Sequence, residues 1–165
     1  DLGCGQGGVS ISLSRFFYNV YGIDPSDHML KYARNLKIKV KKEHNMNWKG
    51  LNRLRFYKGD FNNIPINNVD VICLFNSIHF SKNLNSDLKN ILTYLKQNGI
   101  LYINEPTKYF GSKELMNNKT RLEKKIKHLK NIKKQLKLFI KNNNSIHIIL
   151  EKELEKQYIL ILKKK

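Results

Sequence analysis

Residues 1–12 read DLGCGQGGVSIS, four glycines within six positions behind a single carboxylate. Gly3, Gly5 and Gly8 satisfy the pattern G-x-G-x-x-G, in which missing side chains let the backbone turn tightly and approach a ligand, with a helix N-terminus behind it. Alone the pattern is weak, and the residues that follow strengthen it. Val9, Ile11, Leu13, Phe16 and Phe17 recur at roughly helical spacing, and NVYGID at 19–24 is a short buried strand ending in an acid. Asp24 lies 19 residues beyond Gly5, where a carboxylate at a strand exit can accept both hydroxyl hydrogens of a ribose. Loop, helix, strand and acid in that order predict a nucleoside-containing ligand.

The residue before the glycines separates two ligand classes. A dinucleotide loop faces a pyrophosphate, beside which an added carboxylate is electrostatically unhelpful. Here that residue is Asp1. A ligand that carries an ammonium group and no phosphate welcomes it, and S-adenosylmethionine carries both an α-ammonium and a sulfonium.

Further along the chain, strand and helix patterns alternate. Asp24-Pro25-Ser26 punctuates, and Ser26 can cap a helix that begins at Asp27 and carries Met29, Leu30, Tyr32 and Ala33. Residues 35–52 are polar and basic without a clean period, which predicts a surface segment that can hold part of a helix, and the place of an insertion. RLRFYKGD reads as a strand with Gly59-Asp60 at its exit. VDVICLFN is a near-continuous apolar run of the kind found in parallel sheets covered on both faces. Leu84, Leu88, Ile91, Leu92 and Leu95 predict a helix over 84–97, with Gly99 as a left-handed stop, and GILYINEP is the next strand. Over 112–141, Leu115, Leu122, Ile126, Leu129, Ile132, Leu136 and Phe139 form one stripe among lysines, an amphipathic helix. SIHIILEKELEKQYILILKKK closes the chain as two strands about a charged turn. The alternation implies an α/β fold with a doubly wound, Rossmann-like sheet.

Composition bounds the partners. The 165 residues, 41% apolar, are enough for one core, so a single domain over 1–165 is expected. Within it, residues 1–106 form a cofactor-binding core, and 107–165 an amphipathic helix and the C-terminal strands. No apolar run approaches the ~20 residues of a bilayer span, and no leader pattern opens the chain. Cys4 and Cys73 have no metal-ligand spacing and no disulfide framework, so no metal is expected and a reducing, cytoplasmic compartment fits. The formal charge of +18 suits a polyanionic partner. It is weighted to the tail, net +11 over 111–165 against +7 before it, in a chain rich in Lys, Asn and Ile throughout. The excess therefore reads first as composition, and nucleic acid is a possible but not favoured partner.

With these segments in place, the sequence resembles the class I S-adenosylmethionine-dependent methyltransferases, specifically the type 11 methyltransferase domain. The resemblance runs from Asp1 to about Pro106. It rests on DLGCGQGG, the acidic strand end in YGIDPSDHMLKYAR, the GD step in FYKGDF, the strand VDVICLFNSIHF and the helix-glycine-strand NILTYLKQNGILYINEP. It implies S-adenosylmethionine as cofactor and a sheet order 3-2-1-4-5-7-6 whose last strand is antiparallel. By the same resemblance, backbone at Gly3 and Gly5 would contact the methionine portion, Asp1 its amino group, and Asp24 the ribose. Asp60 would accept from the adenine amino group, Phe61 would flank the ring, and Asn76 would line the pocket near the transferable methyl. His79, in NSIHF, sits where family members often face the acceptor, as a pocket-lining residue or a base. Cys4 and Cys73 read as small packed hydrophobes.

In family members an apolar strand precedes the acidic residue and forms the centre of the sheet. This chain starts at Asp1, so it reads as truncated ahead of its first strand, a fragment or a misplaced start. The function expected is methyl transfer to a small-molecule oxygen or carboxylate acceptor. A nucleic-acid methyltransferase is the alternative that the charge favours, but Asn76-Ser77-Ile78-His79 is not an NPPY-like or DPPY-like exit. A non-catalytic remnant of the fold that binds a partner, and a dinucleotide oxidoreductase, complete the alternatives.

Overall fold

Residues 1–43, 48–107 and 119–165 are described by the computed structural model. They fall into two compact units, Asp1–Asn67 and Asn68–Lys165. His44 and positions 112–118 of the amphipathic stretch, Leu115 included, lie outside the described residues.

The first unit is built on two parallel strands, β1 (Tyr21–Asp24) and β2 (Arg55–Lys58), in register from Tyr21 opposite Arg55 to Asp24 opposite Lys58. The N-terminal residues continue this ladder on the other side of β1. Asp1 N donates to Tyr21 O, Ile23 N to the carbonyl of Asp1, and Gly3 N to Ile23 O, which places Leu2 in a parallel bridge with Ile23. Asp1–Gly3 thus has strand pairing, and the glycine loop leaves from it into α1 (Gly8–Leu13).

Helix α2 (Asp27–Glu43) begins where Ser26 Oγ accepts from Met29 N, at 3.3 Å. Asp27 in its first turn and Lys41 and Lys42 in its last complement the helix dipole. Leu30 and Ala33 are fully buried, and Leu36 and Val40 extend the same stripe against Cys4, Ile11, Val20, Leu51, Leu54 and Phe56. Each fully buried leucine contributes roughly 1.5–3 kcal/mol.

The polar stretch from Asn35 holds the part of a helix that its sequence reading allowed, and a second short helix besides. Residues 35–43 are the C-terminal half of α2, and Lys49–Arg53 form a short helix, α3, with Gly50 and Leu51 buried. Trp48 Nε1 donates to Ser14 O at 2.9 Å and fixes this turn on the end of α1. Its lysines hid one structural tryptophan and one core leucine.

The second unit is a four-stranded mixed sheet in the order β3-β4-β6-β5. Strand β3 (Val69–Phe75) runs parallel to β4 (Leu95–Pro106), β6 (Gln157–Lys164) is antiparallel to β4, and β5 (Ile146–Glu153) closes the hairpin. The strand orders within the two units are the 3-2 and 4-5-7-6 parts of the order that the resemblance implied.

Helix α4 (Leu84–Tyr94) is capped by Asn83, whose side chain accepts from Ser86 N. It ends three residues before the predicted limit. Asn98, with φ 65°, takes the left-handed conformation expected of Gly99. The residues between Leu95 and Ile100 form an irregularity in the β3/β4 register.

Leu101, Ile103 and Glu105 share one face of β4 by the two-residue period of a strand, opposite Leu162, Leu160 and Tyr158 of β6. Helix α5 (Lys119–Lys141) buries Leu129, Ile132, Leu136 and Phe139, spaced three and four apart.

Candidate functional site

In the first unit the glycine loop and the exits of β1 and β2 come together. Gly3, Gly5 and Gly7 all have positive φ, at 80°, 51° and 81°. Gly7, not Gly8, is the third glycine that the turn requires. A Cβ on Gly7 would sit 2.8 Å from both Ala33 Cβ and Phe56 Cζ, whereas Gly8 opens α1 with nothing within 4 Å of its Cβ position. Gly5 is also open, so its backbone faces space that a ligand can fill.

Asp24 ties this loop to the strand. Its Oδ2 accepts from Gly5 N and its Oδ1 from Ser26 N, both at 2.9 Å, and it is buried. Each carboxylate oxygen can accept twice, so one backbone donor on each leaves a second lone pair per oxygen. Asp1 Oδ2 accepts from the fully buried Ser10 Oγ at 2.6 Å.

Gly59 N donates to Asp24 O, which holds the exit of β2 beside that of β1. There Asp60 Oδ1 accepts from Asn62 N and Asn63 N, an Asx-type turn that fixes an exposed carboxylate next to a half-buried Phe61. Asp1, Gly3, Gly5, Asp24, Asp60 and Phe61 therefore all lie on the first unit, and Asn76 and His79 on the second.

Cys4 sits among these groups, and its burial, with the Asp24 charge adding to it, pushes the thiol up to about 11. Burial raises the Cys73 thiol as well. Both stay protonated at neutral pH, which suits packing and not nucleophilic chemistry.

In the second unit Asn76 follows β3 with φ 52°, its N–H donating to Asn104 O at 2.8 Å. The chain then turns through a single 3₁₀ turn, Ile78–Phe80. His79 Nδ1 lies 2.6 Å from Glu105 Oε2, and Glu105 Oε1 accepts from Ser77 N and Ile78 N, both at 2.9 Å. Glu105 is 3% exposed, and a buried carboxylate persists only when such donors replace its water.

Three donors converge on Glu105, and they hold the His79 ring from one side. The ring keeps 19% of its side-chain surface exposed. From α5, His128 Nε2 donates to His79 O at 2.8 Å. Glu105 lies within INEP, where it reads as an ordinary strand end. Only the two-residue period that puts it in line with Leu101 and Ile103 signals a buried acid. His128, one polar residue among lysines, carries no such signal.

The same carboxylate borders a cavity of about 210 Å³ within the second unit, whose lining includes Thr107, Leu129, Ile132, Leu136 and Tyr158. Among the described residues no group of three or more acidic, histidine or cysteine side chains could hold a metal ion, and no helix is long and apolar enough to cross a membrane.

A family model described as a methyltransferase domain matches residues 1–159. The chain belongs to the methyltransferase domain family. Its fold is that of the class I S-adenosylmethionine-dependent enzymes, and S-adenosylmethionine is the cofactor this membership assigns.

Several solved methyltransferases are similar over the whole chain. An S-adenosylmethionine-dependent methyltransferase from Aquifex aeolicus is 18% identical, with a TM-score of 0.76, covering 100% of this chain and 80% of that one. A putative one from Methanococcus maripaludis is 24% identical, TM-score 0.62, covering 100% and 76%. Magnesium protoporphyrin IX methyltransferase from Synechocystis PCC 6803, solved with bound S-adenosylmethionine, is 17% identical, TM-score 0.66, covering 100% and 68%. No curated protein matches the chain.

Proposed function

We propose that this methyltransferase acts on a small-molecule oxygen or carboxylate acceptor, with residues 1–165 working as one domain. The observation that carries the reading is the junction of Gly5 and Asp24. A left-handed glycine with open space at its Cβ is hydrogen-bonded to a buried carboxylate that retains a lone pair on each oxygen. A ribose diol supplies the two donors that such a carboxylate takes, and the open backbone at Gly5, with Gly3 beside it in the same loop, accommodates the methionine portion.

Asp1, oriented by Ser10, supplies negative charge for the ammonium group. Asp60, held by Asn62 and Asn63, is the acceptor for the adenine amino group, and Phe61 gives the ring an apolar wall. The bound cofactor supplies an electrophilic methyl on a sulfonium, so much of what remains for the protein is alignment and exclusion of water.

Isothermal titration with S-adenosylhomocysteine tests this reading. Micromolar binding, about −8 kcal/mol, that is lost in Asp24→Ala is expected, with NAD binding at least tenfold more weakly. Preference for NAD, or binding untouched by Asp24→Ala, refutes it.

A further inference from the structure

We propose that the first unit carries a surface for single-stranded nucleic acid, built from Arg15, Phe16, Phe17 and Tyr18 in the turn after α1 and from Lys49 and Arg53 of α3. These residues precede β1 and β2. The surface therefore lies at the starts of the two parallel strands, the opposite end from Asp24 and Asp60, and is separate from the glycine loop.

Three aromatic residues in succession, at 16–18, leave the core here. Phe16 is 81% exposed, Tyr18 73% and Phe17 43%, while Ser14 and Val20 on either side are buried and anchor the turn. Large apolar side chains gathered in water mark a surface that a partner covers. Helix α3 is locked against this turn. A Cβ at Gly50 would stand 1.8 Å from Ser14 O, so glycine is what lets the two segments close, and Trp48 Nε1 donates to the same carbonyl. Arg53 Nε donates to Tyr18 O at 2.7 Å, and its guanidinium lies over the Tyr18 ring, 3.8 Å from the centroid.

The charge around these rings has one sign. No Asp or Glu occurs in residues 14–23 or 48–59, and Arg15 and Lys49 are exposed. Lys37 Nζ donates to Leu54 O just ahead of β2, so the last turn of α2, with Lys41 and Lys42, reaches the same end of the unit. Glu43, the acid that closes α2, is paired with Lys39 at 3.7 Å.

This chemistry selects the partner. Cations alone suit any polyanion, but flat rings beside them suit one whose flat faces are open, phosphates taking the cations while bases stack on the aromatics. Arg53 and Tyr18 already form two layers of such a stack, and a base on the open face of Tyr18 continues it. A duplex hides its base faces, and a lipid chain has none.

The test is fluorescence anisotropy of a labelled oligouridylate of about 12 nucleotides, at about 50 mM salt, joined to the emission of Trp48, the one tryptophan of the chain. Micromolar binding that quenches Trp48 is expected, weaker for a duplex of equal length. Phe16→Ala and Tyr18→Ala should each weaken it about 5- to 150-fold, and Arg15→Gln should flatten its salt dependence by about one phosphate contact. Circular dichroism checks that each variant folds, and the exposed Phe16 ring makes Phe16→Ala the safer of the two. No binding of the oligouridylate overturns the proposal. So does binding that Phe16→Ala leaves unchanged and that Lys127→Gln/Lys134→Gln/Lys141→Gln in α5 abolishes, or quenching of Trp48 by inorganic polyphosphate as strong as by the oligouridylate. Preference for phosphatidylserine vesicles, or a parent dimer that Phe16→Ala makes monomeric, would give the surface to a membrane or to a second copy instead. Binding of S-adenosylhomocysteine is expected to be equal in parent and variants, and its loss in a folded variant would overturn the separation of the two surfaces.

Discussion

Replacing Gly7 by alanine tests the structure of the glycine loop where sequence and structure differ. At φ 81° an L side chain is held in a left-handed conformation, which costs about 1–2 kcal/mol. The added methyl would stand 2.8 Å from Ala33 Cβ and from Phe56 Cζ, and 2.9 Å from Phe56 Cε1. Ala33 has no rotamer to change, and Phe56 is a buried ring in the same core. Overpacking of this kind costs typically 1–3 kcal/mol. Together the two effects make about 2–5 kcal/mol, a large part of the ~5–15 kcal/mol that holds an ordinary domain together. Gly8→Ala is the internal control, since it lies in α1 with an open Cβ position, and it should gain up to ~1 kcal/mol from helix propensity. Urea unfolding of the parent and both variants reads these differences. Gly7→Ala within 0.5 kcal/mol of the parent, or Gly8→Ala as damaging as Gly7→Ala, would refute the placement of the turn.

Other substitutions probe the groups around that loop. Asp24→Asn turns an amide donor toward Gly5 N or Ser26 N, and urea unfolding should show a loss of about 1–3 kcal/mol from the unsatisfied pair. Because the Cys4 thiol is raised to about 11 from 9.0 in the folded chain, the native state holds its proton longer than the unfolded one. The stabilisation is thus complete below pH 9 and lost as pH rises toward 11. The parent should lose on the order of 2–3 kcal/mol more than Cys4→Ala across that window, and equal slopes would count against it. Trp48→Phe removes the hydrogen bond to Ser14 O and weakens the contact with the Arg15 guanidinium, 4.8 Å from the ring centroid. A loss of about 1–2 kcal/mol in thermal unfolding is expected.

The parts that sequence made legible were those in which one physical signal dominates. Alternation of strand and helix patterns, the apolar run of β3, the buried stripe from Leu129 to Phe139 in α5 and the acid at the end of β1 each follow from a period or a position, and they appear in the structure as drawn from sequence. Adjacent glycines defeat such reasoning. The spacing rule selects Gly8, and only the left-handed backbone of Gly7 and its packing against Ala33 and Phe56 show that the adjacent glycine takes the tight place. Asn98 shows the converse, since asparagine tolerates left-handed backbone and the neighbouring Gly99 drew the eye. The basic segment after Asn35 concealed α3 because lysines can cover an apolar stripe with their stems.

Glu105 was the most consequential residue that sequence reasoning passed over. Its meaning depends on Ser77, Ile78 and His79, which lie 26–28 positions away and which no local pattern links to it.

The most direct test of the cofactor assignment is an amide-resolved NMR titration of the chain with S-adenosylhomocysteine. The account predicts that the largest shifts in the first unit fall on Gly3, Gly5 and Gly7, on Ser26 beside Asp24, and on Asn62 and Asn63 beside Asp60. Shifts confined to α5 and the C-terminal hairpin, or no shifts at millimolar ligand, would contradict it.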